Sequence, residues 1–468
     1  MADLLSILSG AASSLAAQRG LTATAGHNID NANTPGYSRQ TANLEATVPA
    51  EQVGGAYIGR GATLGTVTQV RDRFLEAQIP AAFGNAAFST AQSDALQAFH
   101  GLDPNATGGL SDAISSFYSA LSALAQNPND SGLRATLLGA ARAMAQTFNR
   151  TSQGLEATRS GLDARASALA GEVSSEATAV AALNKEIRQA RGSGAEPNDL
   201  LDLRQQHLDK LAELVGATTV PTSEGDVNVT LPGGVTLVAA DRAGVLKTVP
   251  DAGNGGHLQL MLQLPDGSGP TALPNAGVGG TLGGSLAARD GTLLATGQDI
   301  DHLAADLAQV VNDQHALGFQ RNGNPGQAVF DVGAGWTGAA GRMSLLLTSG
   351  DQLALAASAA GASGDAGNAN ALVATSQATL ATSGKAPAGA VADVVSRFGA
   401  ASATAEAFSA QDGALKDHLT TMRDSVSGVS IDEEMIALQR AQRGYEAIAK
   451  VIQAADQMLQ TLLSIKPT

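Results

Sequence analysis

The sequence predicts a mainly helical α+β protein: a long, coiled-coil-like helical rod drawn from both chain ends, with a small β-rich domain inserted centrally. Three observations carry this expectation. Apolar residues recur at helical spacing near each end, a heptad of apolar positions runs through residues 131–191, and short β-rich runs with Pro-Gly and Asp-Gly punctuation occur in the middle. Hydrophobic residues make up 44% of the 468 but aromatics only 3%, so the apolar content is mostly Ala, Leu and Val. Small side chains let helices approach closely, which suits extended helix pairs better than a deep ligand pocket.

At the first end, Leu4, Leu8, Ala11, Leu15, Gln18, Thr22, Ala25 and Ile29 alternate four and three residues apart, as in an a/d seam. At the other, Ile431, Met435, Leu438, Tyr445, Ile448, Ile452, Ala455, Leu459 and Leu462 trace one stripe, begun by Ser430 and Glu433 at capping-box spacing. Gly444 within it costs about 1 kcal/mol relative to Ala, so this helix is expected to lean on a partner. The residues leave two readings open. The end helices fold onto the chain's own core, or they coil together, or with neighbouring subunits, on assembly; short isolated seams are marginal in water.

Between the ends, residues 71–101 and 110–126 read as helices parted by Asp103-Pro104-Asn105 and Gly108-Gly109. In 131–191, Phe148, Leu155, Leu162 and Leu169 recur every seventh position, and Val173, Val180 and Ile187 continue at that interval, marking a helix roughly 90 Å long. A shorter helix follows over 198–215. Residues 218–264 carry β-rich runs such as Val227-Asn228-Val229-Thr230-Leu231 and Leu258-Gln259-Leu260-Met261-Leu262, and a Gly-rich loop is expected after them. Helical periodicity returns over 285–318, strands and turns over 323–350, and helices from 367 to 463.

The net charge of −15, without any basic run, argues against nucleic acid as a partner. There is no cysteine, hence no disulfide or thiolate chemistry. The first eight residues lack the basic and apolar regions of a cleaved signal, and no uninterrupted apolar stretch reaches membrane-spanning length. His302 and His315 lie on different faces of one expected helix and cannot share a metal. Residues 277–284 fail the dinucleotide fingerprint, Gly384-Lys385 lacks the rest of a phosphate-binding loop, and there is no Gly-x-Ser-x-Gly. Glu433-Glu434 suits the first turn of a helix. No catalytic, cofactor or metal residue is therefore selected, and the chain is expected not to be an enzyme.

One loop stands out. Gly26-His27-Asn28-Ile29-Asp30-Asn31-Ala32-Asn33-Thr34-Pro35-Gly36-Tyr37-Ser38-Arg39-Gln40 follows the first amphipathic helix, and Pro35-Gly36 predicts a type II turn. This string resembles the signature of the axial proteins of the bacterial flagellum, the rod, hook and hook-associated subunits. Tyr57-Ile58-Gly59-Arg60-Gly61, Val70-Arg71-Asp72-Arg73-Phe74-Leu75, Leu282-Gly283-Gly284-Ser285-Leu286, Val311-Asn312-Asp313-Gln314-His315, Gly364-Asp365-Ala366-Gly367-Asn368-Ala369 and the segment from Ser427 to Leu459 are similar to the hook-associated protein 1 family. Departures are His27 and Asp30, and Ala441 and Gly444, which interrupt a helix face that is usually aromatic-rich.

The resemblance implies a structural subunit joining hook to filament, outside the cell, exported by the flagellar type III system. It implies a core domain of residues 1–60 and 428–468, disordered in the free monomer and ordered as a coiled coil on assembly. A rod of 61–216 and 285–427 and an outer domain of 217–284 with 323–350 complete the expected division. Self-assembly then falls to Leu4, Leu8, Leu15, Asn33, Thr34, Pro35, Gly36, Tyr37, Ile431, Met435, Leu438, Tyr445, Ile452, Leu459 and Leu462. The implied partners are further copies in a ring-like axial assembly, the hook protein, hook-associated protein 3, and a cytoplasmic export chaperone on Ile431, Met435, Leu438, Tyr445, Ile448, Ile452 and Leu459. Neither nucleic acid nor membrane is an expected partner. The alternatives are another axial subunit, of hook or distal rod, and a peptidoglycan hydrolase of the same apparatus.

Overall fold

The computed structural model describes residues 2–47, 51–53, 56–58, 61–102, 108–362 and 364–464. Helix α1 (Ala2–Asp30) leads to strands β1 (Gln40–Ala46), β2 (Glu51–Val53), β3 (Ala56–Ile58) and β4 (Ala62–Gln69), then to α2 (Arg73–Gln97), α3 (Leu110–Gln126), α4 (Ser131–Gly192) and α5 (Asn198–Val215). Seven strands follow: β5 (Thr218–Pro221), β6 (Val227–Thr230), β7 (Thr236–Ala239), β8 (Arg242–Ala243), β9 (Val245–Pro250), β10 (Leu258–Gln263) and β11 (Thr271–Leu273). Next come α6 (Gly280–Ala287), a π-helical turn (Ala288–Leu293), α7 (Leu294–Ala316), β12 (Phe330–Asp331), α8 (Ala339–Arg342), β13 (Ser344–Leu345), α9 (Gly367–Ala374), α10 (Pro387–Ser427) and α11 (Ile431–Ser464). Asp103-Pro104-Asn105, expected to part α2 from α3, lies outside the described residues.

Local signals set several helix ends. The Asp72 carboxylate accepts the Phe74 and Leu75 amides, and Asp130 accepts those of Gly132 and Leu133. α5 stops at Gly216, which takes the left-handed conformation at φ 66°. At 62 residues, α4 is roughly 93 Å long and is the spine of the molecule. Phe148, Leu155 and Leu162 are buried, as are Val173, Val180 and Ile187. Leu169 is only half-buried, and Ala166 and Ala170 take its place. A straight helix drifts against a strict seven-residue repeat, and the four-residue step from Leu169 to Val173 restores the stripe to the buried side.

That stripe meets different partners along its length. Its first half joins α2, α3, α7 and α10 around Leu96, Phe117, Leu124, Phe148 and Leu307. Its second half faces Leu208 and Leu211 of α5, Val229, Leu237, Leu260 and Leu262 of the strands, and Leu282 and Leu286 of α6. The strands form two antiparallel sheets, β5-β6-β7-β8 and β11-β10-β9, as the β-rich runs lead one to expect.

Three details depart from the sequence expectations. The Gly-rich stretch does not run as loop to residue 285, because α6 begins at Gly280. Its glycines serve close packing: a Cβ on Gly284 would lie 2.1 Å from the Phe88 carbonyl oxygen of α2. Residues 323–350, grouped by pattern with the outer strands, pack against the helical core instead. Phe330 is buried there, Asn312 bonds the backbone of Val329 and Phe330, and Asn149 donates to the carbonyls of Ala340 and Met343. The β1–β4 pair also crosses the boundary expected at residue 60.

Asn184, fully buried on α4, clamps the outer strands to the spine. Its Nδ2 donates to the carbonyls of Val227 (2.9 Å) and Ala240 (2.7 Å), and its Oδ1 accepts the Val227 amide (3.1 Å) and Arg204 Nη1 (2.9 Å). Asn184→Ala would remove four bonds to buried groups, of which Arg204 Nη1 keeps the Gly225 carbonyl (3.0 Å), and is expected to lower stability by roughly 2–4 kcal/mol in urea unfolding. A loss below about 0.5 kcal/mol would mean that water replaces the amide.

Candidate assembly surface

The turn after α1 is built as its residues dictate. The Tyr37 amide donates to the Thr34 carbonyl at 3.2 Å, and Gly36 sits at φ 76°, as the third position of a type II turn requires. Asn33, Thr34, Pro35 and Gly36 are exposed, with Gln206 Nε2 of α5 donating to the Pro35 carbonyl at 2.8 Å.

Beneath the turn, Asn28 is 1% exposed and uses its whole amide. Oδ1 accepts the Tyr37 hydroxyl (2.8 Å) and the Gln40 amide (2.9 Å), while Nδ2 donates to the Gln40 carbonyl (2.8 Å) and to Glu434 Oε2 (3.0 Å). Arg39 donates from Nε to Glu434 Oε1 at 2.8 Å and pairs with Glu433 at 3.2 Å. Glu433 thus turns to Arg39 instead of closing a capping box with Ser430. The Arg39 amide also donates to the Ser427 carbonyl at 2.9 Å, so the loop holds both sides of the α10–α11 break.

A second set ties the loop to α5. Asp202 accepts the Ser38 amide at 3.2 Å and pairs with Arg71, whose Nε donates to Ser38 Oγ; Gln40 Nε2 donates to Asp199 at 2.9 Å. Burial, with Asp199, Asp202 and Glu434 nearby, raises the Tyr37 pKa and keeps its hydroxyl a donor. The His27 ring stands edge-on to Tyr37 at 5.5 Å, so this departure from the family pattern is accommodated.

α1 and α11 pack antiparallel, with Asn28 beside Glu434 and Gln18 beside Gly444. A Cβ on Gly444 would lie 2.8 Å from Gln18 Oε1, so this glycine and the buried Ala441 bring the helices together. Leu8 and Leu15 on α1, and Leu438, Ile448, Ile452 and Leu459 on α11, are half-buried along this seam. Ile431, Met435 and Tyr445 remain exposed, and so do Ile436, Val451 and Met458 on the side of α11 away from α1. The side chains of Leu4 and Leu462 lie outside the described residues. α1 also carries the β1–β4 pair on another side, where Ser14 Oγ accepts the Ala62 amide at 3.1 Å.

The sequence selected the turn and the stripes but not the polar groups that bind them. Asn28 and Arg39 lie within the quoted motif, yet nothing local marks them as buried or half-buried. Arg71, Asp199, Asp202 and Glu434 meet them only through the fold. Among the described residues no group of His, Cys, Asp or Glu is arranged to hold a metal ion, and no helix is long and apolar enough to cross a membrane.

A helix pair made by the two chain ends, fastened to a helical spine and left partly uncovered, defines an assembly subunit. Comparison with known proteins agrees. Residues 101–330 match the flagellar hook-associated protein FlgK helical domain, and 424–465 match the flagellar basal body rod FlgEFG protein C-terminal segment. Flagellar hook-associated protein 1 of Escherichia coli is 26% identical over 98% of this chain and 100% of its own length; that of Bacillus subtilis is 27% identical over 96% of each. The fold matches the flagellar hook junction protein FlgK from Burkholderia pseudomallei at TM-score 0.69 and 19% identity, over 75% of this chain and 100% of that one. Over nearly its whole length the chain is similar to the flagellar hook-associated protein 1 family. It is a structural protein of the flagellum, an axial component that interacts with other rod and hook components.

Glu434→Ala would leave one hydrogen of Asn28 Nδ2, and Arg39 Nε, without their acceptor. Hydrogen exchange over residues 28–40 and 431–441 is expected to quicken by about tenfold or more, consistent with roughly 1.5–3 kcal/mol for bonds to a charged group, while α4 stays protected. Unchanged exchange would show that the carboxylate does not fasten the ends. Between α5 and α10, Asp209 accepts Gln205 Nε2 (2.7 Å) and Arg423 Nη1 (3.3 Å), and burial pushes its pKa up from 3.8 to about 6. The folded state therefore holds this proton better than the unfolded state. Its contribution to stability is complete below about pH 3.8 and is lost as pH rises through about 6. Asp209→Asn is expected to flatten the stability–pH curve in that window, measured by urea unfolding from pH 4 to 7.

Proposed function

We propose that this chain joins the flagellar hook to the filament, with the hook protein below it and hook-associated protein 3 above. It acts without catalysis, through self-association into a ring-like axial assembly. One observation carries the reading most directly: α11 is already covered on one side by α1, yet shows Met435, Ile436, Val451 and Met458 on its other sides. A helix with apolar residues on two sides suits a coiled-coil assembly in which each end helix meets its own partner and a neighbour. Ordering of the end helices beyond the Asn28–Glu434 contact is coupled to that assembly, so the entropy of ordering is offset at the interface.

Export proceeds through the flagellar type III channel, with a chaperone on residues 431–462 beforehand. The geometry refines this proposal. Leu438, Ile448, Ile452 and Leu459 face α1, whereas Ile431, Met435 and Tyr445 are open. A chaperone that takes the whole stripe must displace α1.

Deleting the gene is expected to leave hooks without filaments and flagellin in the medium, seen by electron microscopy and flagellin immunoblot. Intact filaments would refute the junction role, and loss of hooks would move the chain to hook or distal rod. A truncation ending at Gly428 should fail to co-purify with the chaperone; retention of the complex would place the chaperone site elsewhere.

A further inference from the structure

A cleft of about 450 Å³, within the size range of small-molecule sites, opens between α4, α7, the 252–255 turn of the outer strands and the loop 332–338. Leu155, Leu294 and Ile300 form its apolar lining. Trp336, the chain's single tryptophan, stands in its wall and is 39% exposed. One face of the indole is stacked on the His302 ring at 4.0 Å and 21°. Trp336 lines the cleft and His302 does not, and the stacked imidazole covers one face of the indole and leaves the other.

The loop that carries Trp336 is held in place before any ligand arrives. Asp301 accepts the amides of Gly338 (2.6 Å) and Ala340 (3.0 Å), and Arg342 donates to the carbonyls of Val332 (3.2 Å) and Thr337 (2.7 Å). The charged groups around the cleft are also committed. Arg159 is bound to Glu156 (3.4 Å), the Arg289 carbonyl (3.2 Å) and Asn254 Oδ1 (3.3 Å), while Glu156 faces His257 at 3.2 Å. By contrast, the side chains of Ser152, Gln298 and Thr337 line the cleft with no intramolecular hydrogen bond among the described residues.

The groups left free are therefore hydroxyls, an amide and an aromatic surface, beside charges that are already paired. An anion would find its guanidinium engaged, and a cation would find both carboxylates engaged. An uncharged polyhydroxyl ring fits the set, since its C–H face packs on an indole and its hydroxyls match hydroxyl and amide groups. We propose that this cleft binds a neutral saccharide, with one pyranose ring against Trp336 and its hydroxyls on Gln298 and Ser152. This site is separate from the helix pair that assembles the chain.

Because Trp336 is the single tryptophan, its fluorescence in the purified full chain reports on the cleft directly. The probes are chitotetraose, cellotetraose and maltotetraose, titrated to about 10 mM. A saturable emission change with chitotetraose alone identifies a wall-type amino-sugar glycan; one with either glucose oligomer identifies a secreted glucan. Saturation-transfer NMR on the responding sugar should show binding abolished in Trp336→Ala and weakened at least fivefold in Gln298→Ala, with unfolding midpoints checked to exclude misfolding. No saturable response to any of the three by either method, or transfer unchanged in Trp336→Ala, would overturn the proposal.

Discussion

The Asn28 amide and the Glu434 carboxylate are 406 residues apart in sequence and 3.0 Å apart in space. Each is buried, so each would be costly without its partner. Asn28 satisfies all its donors and acceptors only where the turn, β1 and the start of α11 converge, and Glu434 is matched only by Asn28 and Arg39 together. This meeting fixes where α11 begins relative to α1 and so which face α11 covers. The pairs of Asp202 with Ser38 and Arg71 then fix the helix pair against α5, and through it against the spine.

The spine works because one long helix can serve successive partners. α4 has few large side chains on its inner side beyond Phe148 and a series of Leu, Val and Ile; Ala141, Ala166, Ala170 and Ala177 fill the intervals. Short residues bring neighbouring elements close, and polar clamps set their register: Asn149 for the 340–343 segment, Asn184 for the β5–β8 sheet. Each clamp bonds backbone groups that would otherwise be buried unpaired, so it specifies position as well as adding stability.

Small residues and open apolar residues divide the work on α11. Ala441, Gly444 and Ala455 meet or face α1, where a larger side chain would push the helices apart. The larger Met435, Ile436, Val451 and Met458 remain outside this contact. A helix designed only to complete a monomer would bury such residues, whereas one that also meets a neighbour keeps them available. The Trp336 cleft, assembled from four separated stretches of chain, shares none of these residues.

The sequence by itself determined the mainly helical class, the positions of α3 and α5, the extent of α4, the turn at Pro35-Gly36 and the family signature, because periodicity, capping and turn chemistry act between near neighbours. It also showed which residues were apolar at each end. Only the tertiary structure decided that Leu438 and Ile452 face α1 while Ile431 and Met435 do not, that α6 starts within a glycine run, and that residues 323–350 join the helical core. It alone joined Asn28 to Glu434 and Ser38 to Asp202. The physical reason is the same in each case: a side chain's burial and its hydrogen-bond partner depend on surfaces brought together from distant parts of the chain, and local pattern carries no information about which surfaces those will be.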